Sequence, residues 1–178
     1  MAKPRVRVAA SDLRKLVTEM FVAAGMTAEQ AATTAEPFVW ANLRGVESHG
    51  VARVPRYLEL FASGEANPAP RIEVRRPRPA ALVLDADRAP GPLALTLGMR
   101  AAIEAARETG VAWATVRATT LSGAIGYYTS LAGDAGGRHV EDQRRVARGR
   151  DRDRQRARGD GDAPGAVIAH VRHAGDDP

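Results

Sequence analysis

The chain has 178 residues, no cysteine and a formal net charge of +5 at pH 7. That length suits one domain, or one domain with a tail, and the lack of cysteine excludes disulfides, thiolate catalysis and cysteine-ligated zinc. The sequence contains no signal-peptide pattern and no apolar run near the ~20 residues of a membrane span, so we expect a soluble, cytoplasmic protein without a membrane partner.

The first third of the chain has apolar residues at helical spacing. Repeats at i, i+3, i+4 and i+7 predict a helix over residues 11–25. Thr27, which heads a capping box with Gln30, predicts a second helix over residues 28–43. A third helix is predicted over residues 48–64. These helices are expected to form a small helical layer.

Beyond residue 67 the pattern changes to alternating strands and helices. Short apolar runs with turn residues between them predict strands, and longer periodic stretches predict helices. The predicted elements are an alternating strand at Ile72 and Val74, a turn or linker at Arg75–Pro79, a strand at Ala80–Asp85, a helix at Leu93–Glu108, a buried strand at Val111–Val116 and a helix ending near Ala135. This order indicates an α/β unit, but it leaves open whether the strands are parallel.

Reactive polar residue types are densest in the segment Leu43–Tyr57. On a helix that starts near Ser48, residues His49, Arg53 and Tyr57 stand at i, i+4 and i+8 and share one face. An imidazole, a guanidinium and a phenol on one face suit an anionic small molecule. The alternative interpretation is an ordinary polar start of an amphipathic helix, and spacing alone does not decide between the two.

A polar turn over residues 117–128 contains Gly123 and Gly126 and leads into the last predicted helix. Glycines at a helix N-terminus would allow close approach of a phosphate. The same spacing is more often produced by tight packing of a helix, and we favour packing here.

The last part of the chain is rich in charge. Residues 138–163 contain nine Arg and six acidic residues with few apolar side chains, so this part offers too little apolar surface to offset the entropy of ordering it. Residues 166–171 could form a short strand. An Arg-rich tail raises the alternative of a nucleic-acid-binding protein, although nucleic acid is disfavoured by interleaved Asp and by the absence of aromatic residues after Tyr128.

The segment Arg44–Tyr57, preceded by two helices, resembles the malate/L-lactate dehydrogenase family, a non-Rossmann group that includes ureidoglycolate and sulfolactate dehydrogenases. Val111–Tyr128 reinforces the resemblance, which covers about residues 9–136. It implies an α/β (α+β) fold: an N-terminal helical layer, part of a non-Rossmann nucleotide-binding domain with an incomplete, mixed or antiparallel sheet, and a disordered Arg/Asp-rich tail. The implied regions are 1–66 on the substrate side, 67–136 in the NAD(P)-binding domain and 137–178 as the tail.

The resemblance also implies an oxidoreductase that transfers a hydride between a 2-hydroxy acid and NAD or NADP, without a metal, usually as a homodimer. By position, Ser48 and His49 would line the site, Arg53 would hold the substrate carboxylate and Tyr57 would add a hydrogen bond. Leu121 stands where the family has its proton-acceptor histidine. Losing a general base typically costs about 10²- to 10⁴-fold in rate, and His49 is the candidate substitute.

A second departure from the family lies after residue 136, where the further strands and cofactor-binding residues of family members have no counterpart. We therefore expect a truncated member that lacks most of the cofactor site and has little or no activity. A shifted reading frame in a GC-rich gene is our hypothesis for the tail, and translation of the other two frames tests it. A non-catalytic partner subunit is a further alternative.

Overall fold

The computed structural model describes residues 7–136 and two further strand segments, 138–139 and 166–173. Its first two helices, α1 (Ala10–Ala23) and α2 (Ala28–Leu43), confirm the predicted pair. The Thr27 hydroxyl accepts the backbone N–H of Gln30 at 3.3 Å, as the capping box requires. The Gln30 side chain donates to the carbonyl of Pro70 at 3.3 Å instead of returning to the cap. Half of the capping box therefore forms, and its other half ties α2 to the chain that leads into the sheet.

The third helix begins later than predicted. Glu47–His49 and Val51–Arg53 form two 3-10 turns, and the helix α3 spans Val54–Ala62. Two features explain the break. The amide oxygen of Asn42 accepts the Val51 N–H at 2.7 Å, and Pro55, which has no N–H to give, is favoured in the first turn of a helix. The helical i, i+4, i+8 row predicted from Ser48 onward is therefore wrong.

Gly50, which separates the two turns, has extended backbone with φ −84° and ψ −160°. A Cβ at this position would lie 2.6 Å from Cγ of Asn42. The close approach of the Asn42 amide to the backbone thus requires glycine, and it holds the 3-10 segment against α2.

The sheet has five strands within the described residues: β1 (Glu73–Arg78), β2 (Ala81–Ala89), β3 (Val111–Thr119), β4 (Arg138–His139) and β5 (Ala166–His173). Their order is β1-β2-β3-β5-β4. β1 is antiparallel to β2, and the other pairs are parallel. The sheet is therefore mixed, which confirms the predicted fold class.

The turn or linker predicted at Arg75–Pro79 is wrong over most of its length, because Arg75–Arg78 belongs to β1. Pro77 fits there because β1 is an edge strand, where one backbone N–H has no partner strand to reach. The short strand predicted at 166–171 is confirmed as β5, which lies beside β3. The prediction of a disordered tail over residues 137–178 is wrong for β4 and β5, because pairing with neighbouring strands orders both segments. Residues 137, 140–165 and 174–178, which hold the rest of the predicted tail, lie outside the described residues.

Helix α4 (Gly91–Thr109) connects β2 to the parallel strand β3 and covers one face of the sheet. Leu84, Leu93 and Val116 are at most 1% exposed at this contact, so it forms the centre of the core. Gly98 lets the helix approach closely, since a Cβ there would lie 2.7 Å from the Val116 side chain. Helix α5 (Ile125–Asp134) follows β3.

The end of β2 is tied to the helical layer. Asp87 and Arg88 both have positive φ, 48° and 59°. The Asp87 carboxylate accepts the side-chain amide of Asn67 at 2.9 Å, and the Arg88 guanidinium donates to the carbonyl of Gly64 at 2.6 Å. These bonds fix the end of α3 relative to the sheet.

No helix in the described part of the chain is long and apolar enough to cross a bilayer.

Candidate functional site

A cleft of about 230 Å³ opens between the 3-10 turns with α3 on one side and the loop after β3 on the other. We name its two sides the polar wall, which is formed by His49 and Arg53, and the loop wall, which is formed by Leu121–Gly123. The residues that line the cleft are Phe38, His49, Arg53, Tyr57, Leu121, Ser122 and Gly123.

The polar wall is built from exposed side chains. His49 ends the first 3-10 turn and Arg53 ends the second, and both are exposed. The interrupted backbone still brings them into one cleft with Tyr57. Ser48 is not among the lining residues, but its hydroxyl lies 3.0 Å from Nδ1 of His49. Ser48 can therefore fix the orientation of the imidazole.

Tyr57 lines the cleft and contacts the loop wall. Its side chain is 1% exposed, and its ring packs edge-on against Phe38 with centroids 5.1 Å apart. The hydroxyl donates to the carbonyl of Leu121 at 2.9 Å. Burial raises the pKa of Tyr57 far above its ordinary value, and the charge of Arg53 lowers it by a smaller amount. The hydroxyl therefore remains a protonated donor at neutral pH.

The loop wall is held through its backbone. Tyr128, on α5, donates its hydroxyl to the carbonyl of Ser122. Burial raises the pKa of Tyr128 well above its ordinary value, with smaller contributions from Tyr57 and Tyr127. A Cβ on Gly91 would collide with the carbonyl of Leu121 and lie 2.7 Å from Cα of Ser122. The loop backbone thus rests directly on the first residue of α4.

The cleft combines a cation with an apolar surface. Arg53 offers a planar pair of donors that matches a carboxylate, and Phe38 and Leu121 offer apolar contact. A leucine side chain cannot accept a proton. Among the lining residues, His49 carries the group best suited to do so.

Sequence reasoning missed Phe38 as a lining residue, because its place in the apolar pattern of α2 indicates only that it belongs to the core. Ser122 was also missed, since its hydroxyl carries no signal apart from its neighbours. Gly126 bears out the packing interpretation of the paired glycines, because a Cβ there would lie 3.2 Å from the ring of Trp40. Gly123 lines the cleft and has φ +72°.

The size of this cleft limits the ligand that it can hold. The cleft, at about 230 Å³, is smaller than the ~300–1,000 Å³ typical of sites for drug-sized ligands. A small carboxylic acid is the scale of ligand that fits. Within residues 7–136, no group of three or more His, Cys, Asp or Glu residues could hold a metal ion.

The protein is of the mixed α/β class. A helical layer packs on a mixed sheet, and a small cleft with a cationic side chain lies at their junction. Residues 8–137 match the malate/L-lactate dehydrogenase family, whose members are oxidoreductases, and the chain belongs to that family.

Several relatives share this part of the chain. The ureidoglycolate dehydrogenase (NAD(+)) of Escherichia coli strain K12 is 36% identical over 131 residues, which make up 74% of this chain and 38% of the relative. A malate dehydrogenase of Pyrococcus abyssi is 37% identical over 74% of this chain and 36% of its own length. The solved malate dehydrogenase of Pyrococcus horikoshii OT3 superposes with a TM-score of 0.70 at 34% identity, covering 74% of this chain and 38% of that one. The chain thus spans little more than a third of the length of these relatives.

Proposed function

We propose that the cleft binds the carboxylate of a small 2-hydroxy or 2-oxo acid, as the substrate-side part of an NAD- or NADP-dependent dehydrogenase. The observation that carries this proposal is the convergence of His49, Arg53 and Tyr57 on one small cleft, although the helix expected to align them is interrupted. The names of the relatives support the substrate class, because ureidoglycolate and malate are both 2-hydroxy acids.

Each residue has a distinct role in this proposal. Arg53 pairs with the carboxylate, since a guanidinium matches its two oxygens. His49, oriented by Ser48 at 3.0 Å, bonds the oxygen on the second carbon. Phe38 and Leu121 contact the carbon chain. Tyr57 can accept a hydrogen bond from the ligand, but its one proton is already donated to Leu121.

We propose further that this chain turns over slowly or not at all. Leu121 cannot take the proton of a hydroxy acid, and a missing general base typically costs about 10²- to 10⁴-fold in rate.

In this proposal residues 1–66 form the substrate side and residues 67–136 form part of the nucleotide-binding domain. Homodimer formation, which is expected of intact members, is tested by light scattering of the purified chain.

Binding is tested with oxamate, a non-reactive analogue of a 2-oxo acid, by calorimetry or NMR titration. Arg53→Gln should weaken oxamate binding by about 10- to 100-fold, because a hydrogen bond to a charged group contributes roughly 1.5–3 kcal/mol. Arg56→Gln is the matched control, since Arg56 is exposed, lies outside the cleft and pairs with Glu59 at 3.1 Å. Equal affinities of the two variants, or no binding by the wild type, would contradict the proposal.

Turnover is tested separately with malate, lactate and ureidoglycolate in the presence of NAD or NADP. We expect little or no reduction of the cofactor, and no rescue by Leu121→His, because a cleft of about 230 Å³ is too small to hold a dinucleotide beside the acid. Wild-type rates near those of other dehydrogenases would contradict the proposed lack of activity and leave the binding proposal intact.

A further inference from the structure

Two buried tyrosines hold consecutive carbonyls of the loop wall. The Tyr57 hydroxyl donates to the carbonyl of Leu121 at 2.9 Å, and the Tyr128 hydroxyl donates to the carbonyl of Ser122. The two tyrosines lie on different helices, α3 and α5. The loop is therefore held by side-chain donors from two helices, one of them 64 residues away in the sequence and the other six.

Because both tyrosines are buried, the loss of either hydrogen bond should be costly in free energy. Tyr57 and Tyr128 are 1% and 3% exposed, and hydrogen bonds in such surroundings are costly to leave unmade. Each ring is also fixed by an aromatic neighbour, Phe38 at 5.1 Å for Tyr57 and Tyr127 at 5.6 Å for Tyr128. Rigid rings of this kind can hold a backbone segment in one position.

The first residue of α4 also packs on the backbone of this loop. Gly91 contacts the carbonyl of Leu121 and Cα of Ser122 so closely that a Cβ at Gly91 would collide with them. Both tyrosine hydroxyls also converge near Gly123, where a Cβ would lie 3.4 Å from the Tyr128 oxygen and 3.7 Å from the Tyr57 oxygen. The loop backbone thus contacts both hydroxyls and the start of α4.

We infer that Tyr57 and Tyr128 form a tyrosine clamp that sets the position of residue 121 in the cleft, and that Tyr128 is a positioning residue for ligand binding. This inference rests on the proposed function for its ligand. Tyr128 does not line the cleft, so it acts on a bound acid through the loop. Tyr57 both lines the cleft and holds the loop, so its effect on binding has two sources.

Tyr128→Phe therefore gives the cleaner test. It removes the bond to the Ser122 carbonyl and keeps the ring. The matched control is Tyr127→Phe, which removes a hydroxyl from the adjacent ring, packed against Tyr128 at 5.6 Å, and leaves both loop bonds in place. The first readout is amide hydrogen exchange at residues 121–123, and the second is oxamate affinity.

We expect amide exchange in the loop to be about fivefold faster in Tyr128→Phe than in Tyr127→Phe, since one hydrogen bond contributes on the order of 1 kcal/mol. Oxamate affinity should fall by about three- to tenfold in Tyr128→Phe and remain unchanged in Tyr127→Phe. Equal exchange rates in the two variants would overturn the clamp. Faster exchange with unchanged affinity would overturn the positioning role.

Two further outcomes are covered by the same design. If the wild type does not bind oxamate, the proposed function fails, and hydrogen exchange alone then decides the clamp. If Tyr128→Phe does not fold, Tyr57→Phe replaces it, because this variant removes the bond to the Leu121 carbonyl and retains the packing on Phe38. Loop exchange no faster than in Tyr127→Phe would then overturn the clamp.

Discussion

The two walls of the cleft are specified in opposite ways. The polar wall consists of exposed side chains, His49 and Arg53, carried on short 3-10 turns. The loop wall is positioned through its backbone, which Tyr57, Tyr128 and Gly91 enclose. A change in the polar wall should therefore alter the chemistry and leave the fold intact. A change behind the loop wall should alter the geometry and the stability together.

The largest effect should be a loss of the free energy of unfolding at alkaline pH. Burial raises the pKa of Tyr57 and of Tyr128 above the ordinary value of 10.0. Below pH ~10 both residues are protonated in the folded and unfolded states, so their contribution to stability is fully present. Above pH ~10 the unfolded chain ionises first, and stability is lost as the pH rises toward the folded pKa values.

Urea unfolding at a series of alkaline pH values measures this loss. The wild type should lose about 1.4 kcal/mol per pH unit for each tyrosine that ionises only in the unfolded state. The double variant Tyr57→Phe/Tyr128→Phe should have a shallower slope. An identical pH dependence in the two proteins would show that the loop wall does not depend on these hydroxyls.

The next largest effect should come from Gly91→Ala, directly behind the loop wall. The added methyl collides with the backbone of Leu121 and Ser122, and overpacking typically costs about 1–3 kcal/mol. Gly133→Ala is the matched control, because a Cβ at this glycine of α5 meets nothing within 4 Å. Thermal unfolding should separate the two variants, and equal melting temperatures would argue against the tight enclosure of the loop.

Asn42→Ala should have an intermediate effect on the free energy of unfolding. This variant removes a hydrogen bond that holds the polar wall. The Asn42 amide oxygen accepts the Val51 N–H at 2.7 Å between the two 3-10 turns. Its loss should lower the free energy of unfolding by about 1 kcal/mol and weaken oxamate binding by loosening His49 and Arg53. Asn42→Asp, which keeps an acceptor oxygen, should retain more of both, and the reverse order would contradict this account.

The smallest effect on stability should come from Arg53→Gln, in the polar wall itself. Arg53 is exposed, and substitutions at such surface positions usually change stability by less than about 0.5 kcal/mol. Its oxamate affinity should nevertheless fall most among the variants. Urea unfolding of Arg53→Gln and Arg56→Gln should give matching midpoints, and a large loss in Arg53→Gln alone would remove the distinction between the walls.

The helices and the strands around the core were predictable from sequence because their signals are local. Helices α1 and α2 follow from apolar spacing, and Thr27 caps α2 at 3.3 Å as its position in the sequence indicates. The strand–helix–strand order of β2, α4 and β3 was also predicted. Local patterns do not encode strand direction, so the parallel pairing of β2 with β3 became clear only in the structure.

Two errors arose where contacts with a neighbouring segment override the pattern within a segment. Residues 75–78 read as a linker because of their Arg and Pro content, but pairing with β2 makes them an edge strand. The segment after Ser48 read as one helix, but the Asn42 amide and the conformation of Gly50 divide it into turns. Pro55 was a local signal for the later helix start, and it could have corrected that prediction.

The sequence by itself determined the residue types in Leu43–Tyr57, the family resemblance and the leucine at position 121, since these depend only on identity and spacing. The tertiary structure decided that Tyr57 donates a hydrogen bond to the carbonyl of Leu121, which is 64 residues away, and that Gly91 packs on the same loop. Such contacts depend on how α3, α4 and α5 pack around the sheet, and no pattern within one segment carries that information.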